Sequence, residues 1–241
     1  MNFSQIQTKK HEDGIGIIIL NRPEKRNAIS IQMRKEISYC LHDWEENPTI
    51  DLVIFVGKGS SFSAGFDLTE FDNHDCFSEL LESSTKYHLD LWNFPKPTIA
   101  AVNGPAVGGG FDLALFCDIR LCSESASFGH PEIKFGAPPL FTPLRWIVGE
   151  GHARELCLTG RNINATEAHQ MGLVSYVTKY NELLEKAVEI GRTILEAPKD
   201  SIRFTKKFFI NNAKDFEDSF KIEHDEAFRK VILPKARKKF K

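Results

Sequence analysis

The sequence predicts an α/β protein with a mostly parallel sheet, and three observations carry that expectation. Short apolar runs recur along the chain without the strict alternation of a half-exposed strand, as expected of strands covered on both faces. Helical patterns stand between these runs, which is what parallel strands need for their crossovers. With 241 residues, 41% of them hydrophobic and 27% charged, the composition fits one large core, or a core with a small appendage.

GIGIIIL, from Gly14 to Leu20, is a buried strand closed by the turn NRPEKRN. Ser30 then caps an amphipathic helix in which Met33, Ile37, Leu41 and Trp44 recur on one face. DLVIFVG (Asp51 to Gly57), TIAAVNG (Thr98 to Gly104) and IRLC (Ile119 to Cys122) read as further strands. Helices dominate the last third: NELLEKAVEIGRTILE stops before Pro198, and another is expected near SIRFTKKFF. No sequence repeat, low-complexity tract or linker interrupts the chain. We therefore expect a core over residues 1–195 and a helical C-terminal region over residues 196–241 with a basic tail, seven Lys or Arg and no acid between Arg229 and Lys241.

Charge and cysteine usage exclude several classes. The formal net charge is -2, from 31 basic and 33 acidic residues, so no global field favours nucleic acid or an anionic membrane, and any anion site is local. The 5 cysteines, Cys40, Cys76, Cys117, Cys122 and Cys157, form no C-x-x-C pair. An odd, scattered set fits reduced buried thiols and a cytoplasmic chain. MNFSQIQTKKHEDG lacks the apolar region of a signal peptide, and no apolar run is long enough to span a bilayer.

Two strand ends carry similar chemistry, VGKGSSFSAGFDL after one and VNGPAVGGGFDL after the other. Three adjacent glycines cost conformational entropy, about 0.5–1 kcal/mol each relative to alanine, and so call for a reason. Small residues let a ligand approach the main chain, and a helix start just beyond them offers free N–H groups with positive dipole potential. Packing alone is the bland reading of either turn. Together they suggest a two-donor site for an oxyanion. A dinucleotide fingerprint fails because Leu113 stands where a third glycine belongs, a nucleophile elbow fails because Ser61 precedes Phe62-Ser63-Ala64-Gly65, and no phosphate-loop lysine comes after Gly110.

LNRPEKRNAIS, FSAGFDL, KPTIAAVNGPAVGGGFDLAL, ASFGHPEIKFG and LTGRNINATEAHQMGLV, in that order, resemble the successive signature segments of the crotonase superfamily, the enoyl-CoA hydratase/isomerase family. The resemblance implies a spiral of ββα turns with a helical C-terminal trimerisation region, and a homotrimer or homohexamer. It also implies a coenzyme A thioester as substrate, coenzyme A being part of that substrate rather than a separate cofactor, and an enolate held by two backbone N–H groups. Matched position by position, Phe66 and Gly109 supply those two donors. Arg22, Lys25, Arg26 and Ala28, with Ala64, Asp67 and Leu68, match the part that wraps coenzyme A, the three cations as phosphate partners; a solvated basic turn is the other reading of them.

Hydratases of the family place two glutamates about one water. Glu132 matches the second, and the first falls on Asp112, one methylene shorter. The family's glycine-rich turn after the second glutamate is replaced by APPLFTPL, which brings in Leu140 and Phe141. Dienoyl-CoA isomerases that carry aspartate at the Asp112 position add an acid at the Leu140 position, which this chain lacks. Glu132 is thus the expected base and Asp112 its partner, with a helix-capping role open for Asp112. His130 is read as a tuning or structural group, and no metal-ligand spacing accompanies it. The leading expectation is hydration of a 2-trans-enoyl-CoA to a 3-hydroxyacyl-CoA. The alternatives are isomerisation of a 3-enoyl-CoA to a 2-enoyl-CoA by Glu132, or a catalytically silent acyl-CoA- or RNA-binding member whose basic tail contacts phosphates.

Overall fold

The computed structural model describes residues 3–72, 77–232 and 234. Strand β1 (Ile6–Lys10) pairs antiparallel with β2 (Ile15–Leu20), and β2 begins a parallel run through β3 (Leu52–Gly57) and β4 (Thr98–Val102). Helix α1 (Ile31–Glu46) joins β2 to β3, and α2 (Phe77–Asn93) precedes β4. Next come β5 (Ala106–Val107), α3 (Gly109–Phe116), β6 (Ile119–Ser123), β7 (Ser127–Gly129) and α4 (Thr142–Thr159). The remainder is β8 (Ile163–Asn164), α5 (Ala165–Gln170), β9 (Tyr176–Thr178), α6 (Leu183–Leu195), α7 (Lys199–Asn212) and α8 (Lys214–Glu226).

The larger sheet has the order β1-β2-β3-β4-β6-β9, and β5-β7-β8 form a smaller one. One turn of chain is repeated four times. After β2 comes the bridge residue Ile29 and then α1; after β3 come the bridge residues Ser63 and Phe66, with α2 further on; β4 leads to β5 and α3, and β6 to β7 and α4. This is the expected spiral of strand, short extended piece and helix, built without any repeat of residues.

The predicted strands sit where their composition requires. Ile15, Ile17, Leu52, Ile54, Ile99 and Ala101 face Leu183, Ala187 and Val188 of α6. Their neighbours Ile18, Leu20, Val53, Phe55, Ala100 and Val102 face the main core with α1, α2 and α3. Both sheet faces are covered, so the strands read as continuous apolar runs. Ser30 caps α1, its side chain accepting from the Met33 N–H at 3.1 Å. The helices after residue 195 contribute Phe216 and Phe220 to the same main core.

Several elements escape the sequence reading, among them β1, α2, α4, α5, β9 and α8. In β1 only Ile6 is buried, as suits an edge strand with charged outer positions. The inner face of α2 mixes Leu80, Leu81 and Leu91 with Ser84, Tyr87 and His88, which blurs its apolar period. Cys40, Cys117, Cys122 and Cys157 are buried and unpaired; burial pushes the thiols of Cys40, Cys117 and Cys122 up to about 12. Cys76 lies outside the described residues, as does the basic tail at residue 233 and from 235 onward. No helix among the described residues is long and apolar enough to cross a membrane.

Candidate active site

The two glycine turns lie against one another. Phe62 and Ser63 both donate their N–H to the Pro105 carbonyl at 3.1 Å, and Val107 N–H donates to the Ser63 carbonyl at 3.0 Å. Contact is tight enough to demand glycine. A Cβ on Gly65, whose φ is +91°, would lie 2.7 Å from the Val107 carbonyl oxygen and 3.3 Å from the Gly109 nitrogen. A Cβ on Gly110 would lie 2.5 Å from the Ser63 carbonyl oxygen. The amides of Phe66 and Gly109 thus belong to adjoining main-chain segments, and neither donates to another backbone group in any turn, loop or cap among the described residues.

Their settings differ from the symmetric pair that the two similar motifs suggest. Gly109 opens α3, so its N–H is one of the unpaired donors of a helix start. Phe66 instead sits in a parallel bridge with Ile29, and the chain beyond it forms only the 3-10 turn Leu68–Asp72. Its ring fills the space where a Gly109 side chain would be, 2.8 Å from that Cβ position. Beneath the ring, Arg34 places its guanidinium carbon 4.7 Å from the centroid. Arg34 is fully buried, donates to the Ser83 hydroxyl and the Ile29 carbonyl, and stands 3.5 Å from a Glu70 carboxylate oxygen.

Both predicted acids line the same cavity, of about 340 Å³. Asp112, in the first turns of α3, is buried and turns to His130 rather than to the helix start: Oδ1 meets His130 Nε2 at 2.9 Å. Burial alone would drive the imidazole neutral. The Asp112 charge and hydrogen bond outweigh it, and His130 is pushed up to about 10. Glu132 lies close by along the chain, in the 3-10 helix Pro131–Phe135. Its Oε2 is shut off from solvent with no hydrogen-bond partner among the described residues. Burial pushes its carboxyl up to about 7, with the His130 charge opposing and Asp112 reinforcing the shift. Gly108 passes beside it with φ +52°, and a Cβ there would be 3.3 Å from Oε2. A proton can therefore be held or released by Glu132 near neutral pH, next to an anchored ion pair.

Ala64, Leu68 and Leu140 also line this cavity, and Phe141 packs behind it against the main core. The other residues matched to coenzyme A binding, Arg22, Lys25, Arg26, Ala28 and Asp67, are not among those that line the cavity. Arg22 donates to the Ala28 carbonyl at 2.7 Å and to Asp67 at 2.8 Å, so its charge is already engaged. Lys25 and Arg26 are exposed and take part in no ion pair among the described residues. Asn27 pins this turn by donating to the Lys58 and Ser61 carbonyls, each at 2.9 Å.

Sequence reasoning missed the opposite wall. His88 from α2 and His224 from α8 line the cavity with Ala227, Phe228 and Ile232. The available signal was a histidine, His88, on the inner face of an amphipathic helix beside Ser84 and Leu91. Nothing local ties that helix to one 140 residues later, as the Ser84 hydroxyl to His224 Nε2 contact of 2.8 Å does.

Comparison with known proteins agrees with this architecture. A family profile described as Enoyl-CoA hydratase/isomerase matches residues 10–239. The chain is 38% identical over 202 residues to the mitochondrial enoyl-CoA hydratase of Pongo abelii, covering 80% of this chain and 68% of that one. It is 35% identical to the short-chain-enoyl-CoA hydratase of Clostridium acetobutylicum, with 81% and 77% covered. A crystal structure of an enoyl-CoA hydratase/isomerase from Xanthobacter autotrophicus Py2 superposes with a TM-score of 0.85 at 31% identity, covering 98% of this chain and 97% of that one.

Proposed function

Since the chain belongs to the enoyl-CoA hydratase/isomerase family, we propose that its cavity hydrates a 2-trans-enoyl-CoA to the 3-hydroxyacyl-CoA, with Glu132 moving the proton. The observation that carries this is the pairing of Glu132, pushed up to about 7, with two adjoining turns whose Phe66 and Gly109 amides donate to no backbone group in any turn, loop or cap among the described residues. In hydration, Glu132 takes a proton from water as the water oxygen bonds to C3. The electron pair of the double bond moves through C2 onto the thioester oxygen, where the Phe66 and Gly109 N–H groups stabilise it. Glu132 then returns the proton to C2, and the thioester is restored. Asp112, held by His130, orients the water.

Lys25 and Arg26 are read as partners of the coenzyme A phosphates because they are exposed beside Ala28 and Ala64 and take part in no ion pair among the described residues; the Arg22–Asp67 pair holds that turn in shape. A trimer or hexamer is supported by Phe204, Phe208 and Phe209 of α7, exposed by 63%, 50% and 55%, since aromatics in such number on one helix are seldom left to solvent. A cytoplasmic location is supported by the buried, unpaired thiols.

Isomerisation of a 3-enoyl-CoA uses the same base, with the proton taken from C2 and returned to C4. The buried Leu140 in the cavity wall favours it, because an apolar side chain there leaves less room for water. Crotonyl-CoA and a 3-enoyl-CoA distinguish the two: formation of 3-hydroxybutyryl-CoA is expected from the first. A double-bond shift in the second without any hydration of the first would reverse the assignment.

A further inference from the structure

We infer that the buried wall of the cavity is built to receive a hydroxyl carried by the acyl chain, with Nε2 of His88 as its hydrogen-bond acceptor. The inference rests on the acyl-CoA reading above and specifies which acyl groups that site takes. His88 is 1% exposed, and it lines the cavity together with Asp112, Glu132 and His224. Its Nδ1 is turned back on its own helix, 2.9 Å from the Ser84 carbonyl oxygen. A carbonyl only accepts, so Nδ1 carries the hydrogen. Burial, with His224 nearby, holds the imidazole well below the usual histidine range and hence neutral. The proton inventory then leaves Nε2 as a bare lone pair, shut off from solvent and with no partner among the described residues.

No other side chain of that wall supplies a free donor among the described residues. His224 is engaged at both nitrogens, by the Ser84 hydroxyl at 2.8 Å and the Thr85 hydroxyl at 3.3 Å. The rings around His88 are Phe66, Phe116 and Phe220, with centroids 6.1, 4.9 and 5.4 Å away, and Tyr87, whose hydroxyl does not reach a partner and does not line the cavity. A trapped water needs two or more polar partners, and this wall offers one. A plain alkyl chain would leave Nε2 desolvated and unpaired, whereas a hydroxyl on the distal carbons would donate to it. Sites that hydrogen-bond a substrate group discriminate against analogues lacking it, because their own polar atom is then stranded.

The test compares ω-hydroxy-2-enoyl-CoA thioesters of about four to eight acyl carbons with their alkyl counterparts of equal length. At the chain length that reaches His88, kcat/KM for the hydroxylated thioester is expected to exceed that of the alkyl one by about tenfold, mostly through KM. In His88→Phe the ratio should fall to about one, and in His88→Gln, which keeps an acceptor oxygen, part of it should return. The ratio rather than the absolute rate is the readout, so a loss of overall activity does not blur the result, and His88→Gln serves if His88→Phe does not fold. Turnover without preference at every length, or a preference that survives in His88→Phe or is absent from wild type, overturns the inference. Turnover of neither series overturns the hydratase reading itself.

Discussion

Asp112 and Glu132 face one cavity, yet the segments that carry them could hardly differ more. Asp112 sits on a helix, buried, its oxygen fixed by a charged imidazole. Glu132 sits on a single 3-10 turn with one carboxylate oxygen partnered by nothing among the described residues. One acid is thereby committed to a structural bond, and the other keeps its proton negotiable near neutral pH. The difference teaches that a pair of carboxylates in a cleft need not share a role; what each can do is set by the partners its backbone segment delivers.

The sharpest way to break that contrast is to remove the Asp112 charge. Asp112→Asn removes the counter-ion that keeps the buried His130 imidazole protonated, and breaking a buried pair by removing one member costs about 3–5 kcal/mol. Urea unfolding at pH 7 should register a loss of that size. A change below about 1 kcal/mol would mean that the two groups are not an ion pair. Glu132→Gln is expected to do the opposite, lowering kcat by at least about 10²-fold while leaving the midpoint of thermal unfolding unchanged or raised. An unaltered rate would remove Glu132 from the chemistry.

The pH dependence sharpens the comparison further. Because a proton must leave Glu132 before it can act as base, kcat/KM should rise with pH through about 7. Stability should move the other way. Both Glu132 and His130 are raised in the folded state, so each holds its proton more tightly there than when unfolded. Their contributions are complete below the unfolded pKa values and are lost as pH rises, through about 7 for Glu132 and about 10 for His130. Denaturation measured from about pH 5 to 10 should show both declines in the wild type, only the higher one in Glu132→Gln and only the lower one in Asp112→Asn. The smallest expected effect belongs to Gly108→Ala, where a side chain at φ +52° beside Oε2 crowds Glu132; a drop in kcat of about tenfold, with KM less affected, would place the cost on the acid's position. An equal loss in Asp112→Asn and Gly108→Ala would erase the distinction between the two segments.

Sequence and structure agree most closely where the physics is local. The continuous apolar runs of β2, β3 and β4 and the Ser30 cap of α1 are properties of a few neighbouring residues, and they are legible as such. Both acids and both glycine turns were legible through their motifs. What was not legible arises from distant pairs: Asp112 meets His130 across 18 positions, and Ser84 meets His224 across 140. The fourfold strand and helix spiral was equally hidden from any search for repeats, because each turn keeps the same backbone path with different side chains. The expectation of two helix starts failed for Phe66, since glycine before an acid marks a backbone approach without saying whether a helix or a bridge comes next.

The free amides of the two turns have a consequence for how this chain can change over generations. In the proposed hole the groups that touch the substrate oxygen belong to the peptide backbone, which every codon except those for proline specifies alike. Phe66 can drift to another residue and reshape the surrounding wall while its N–H persists, and only proline deletes that donor outright. Gly109 is more constrained, because any side chain there meets the Phe66 ring. Mutation can thus explore new acyl groups at one turn while the grip on the oxygen is inherited intact.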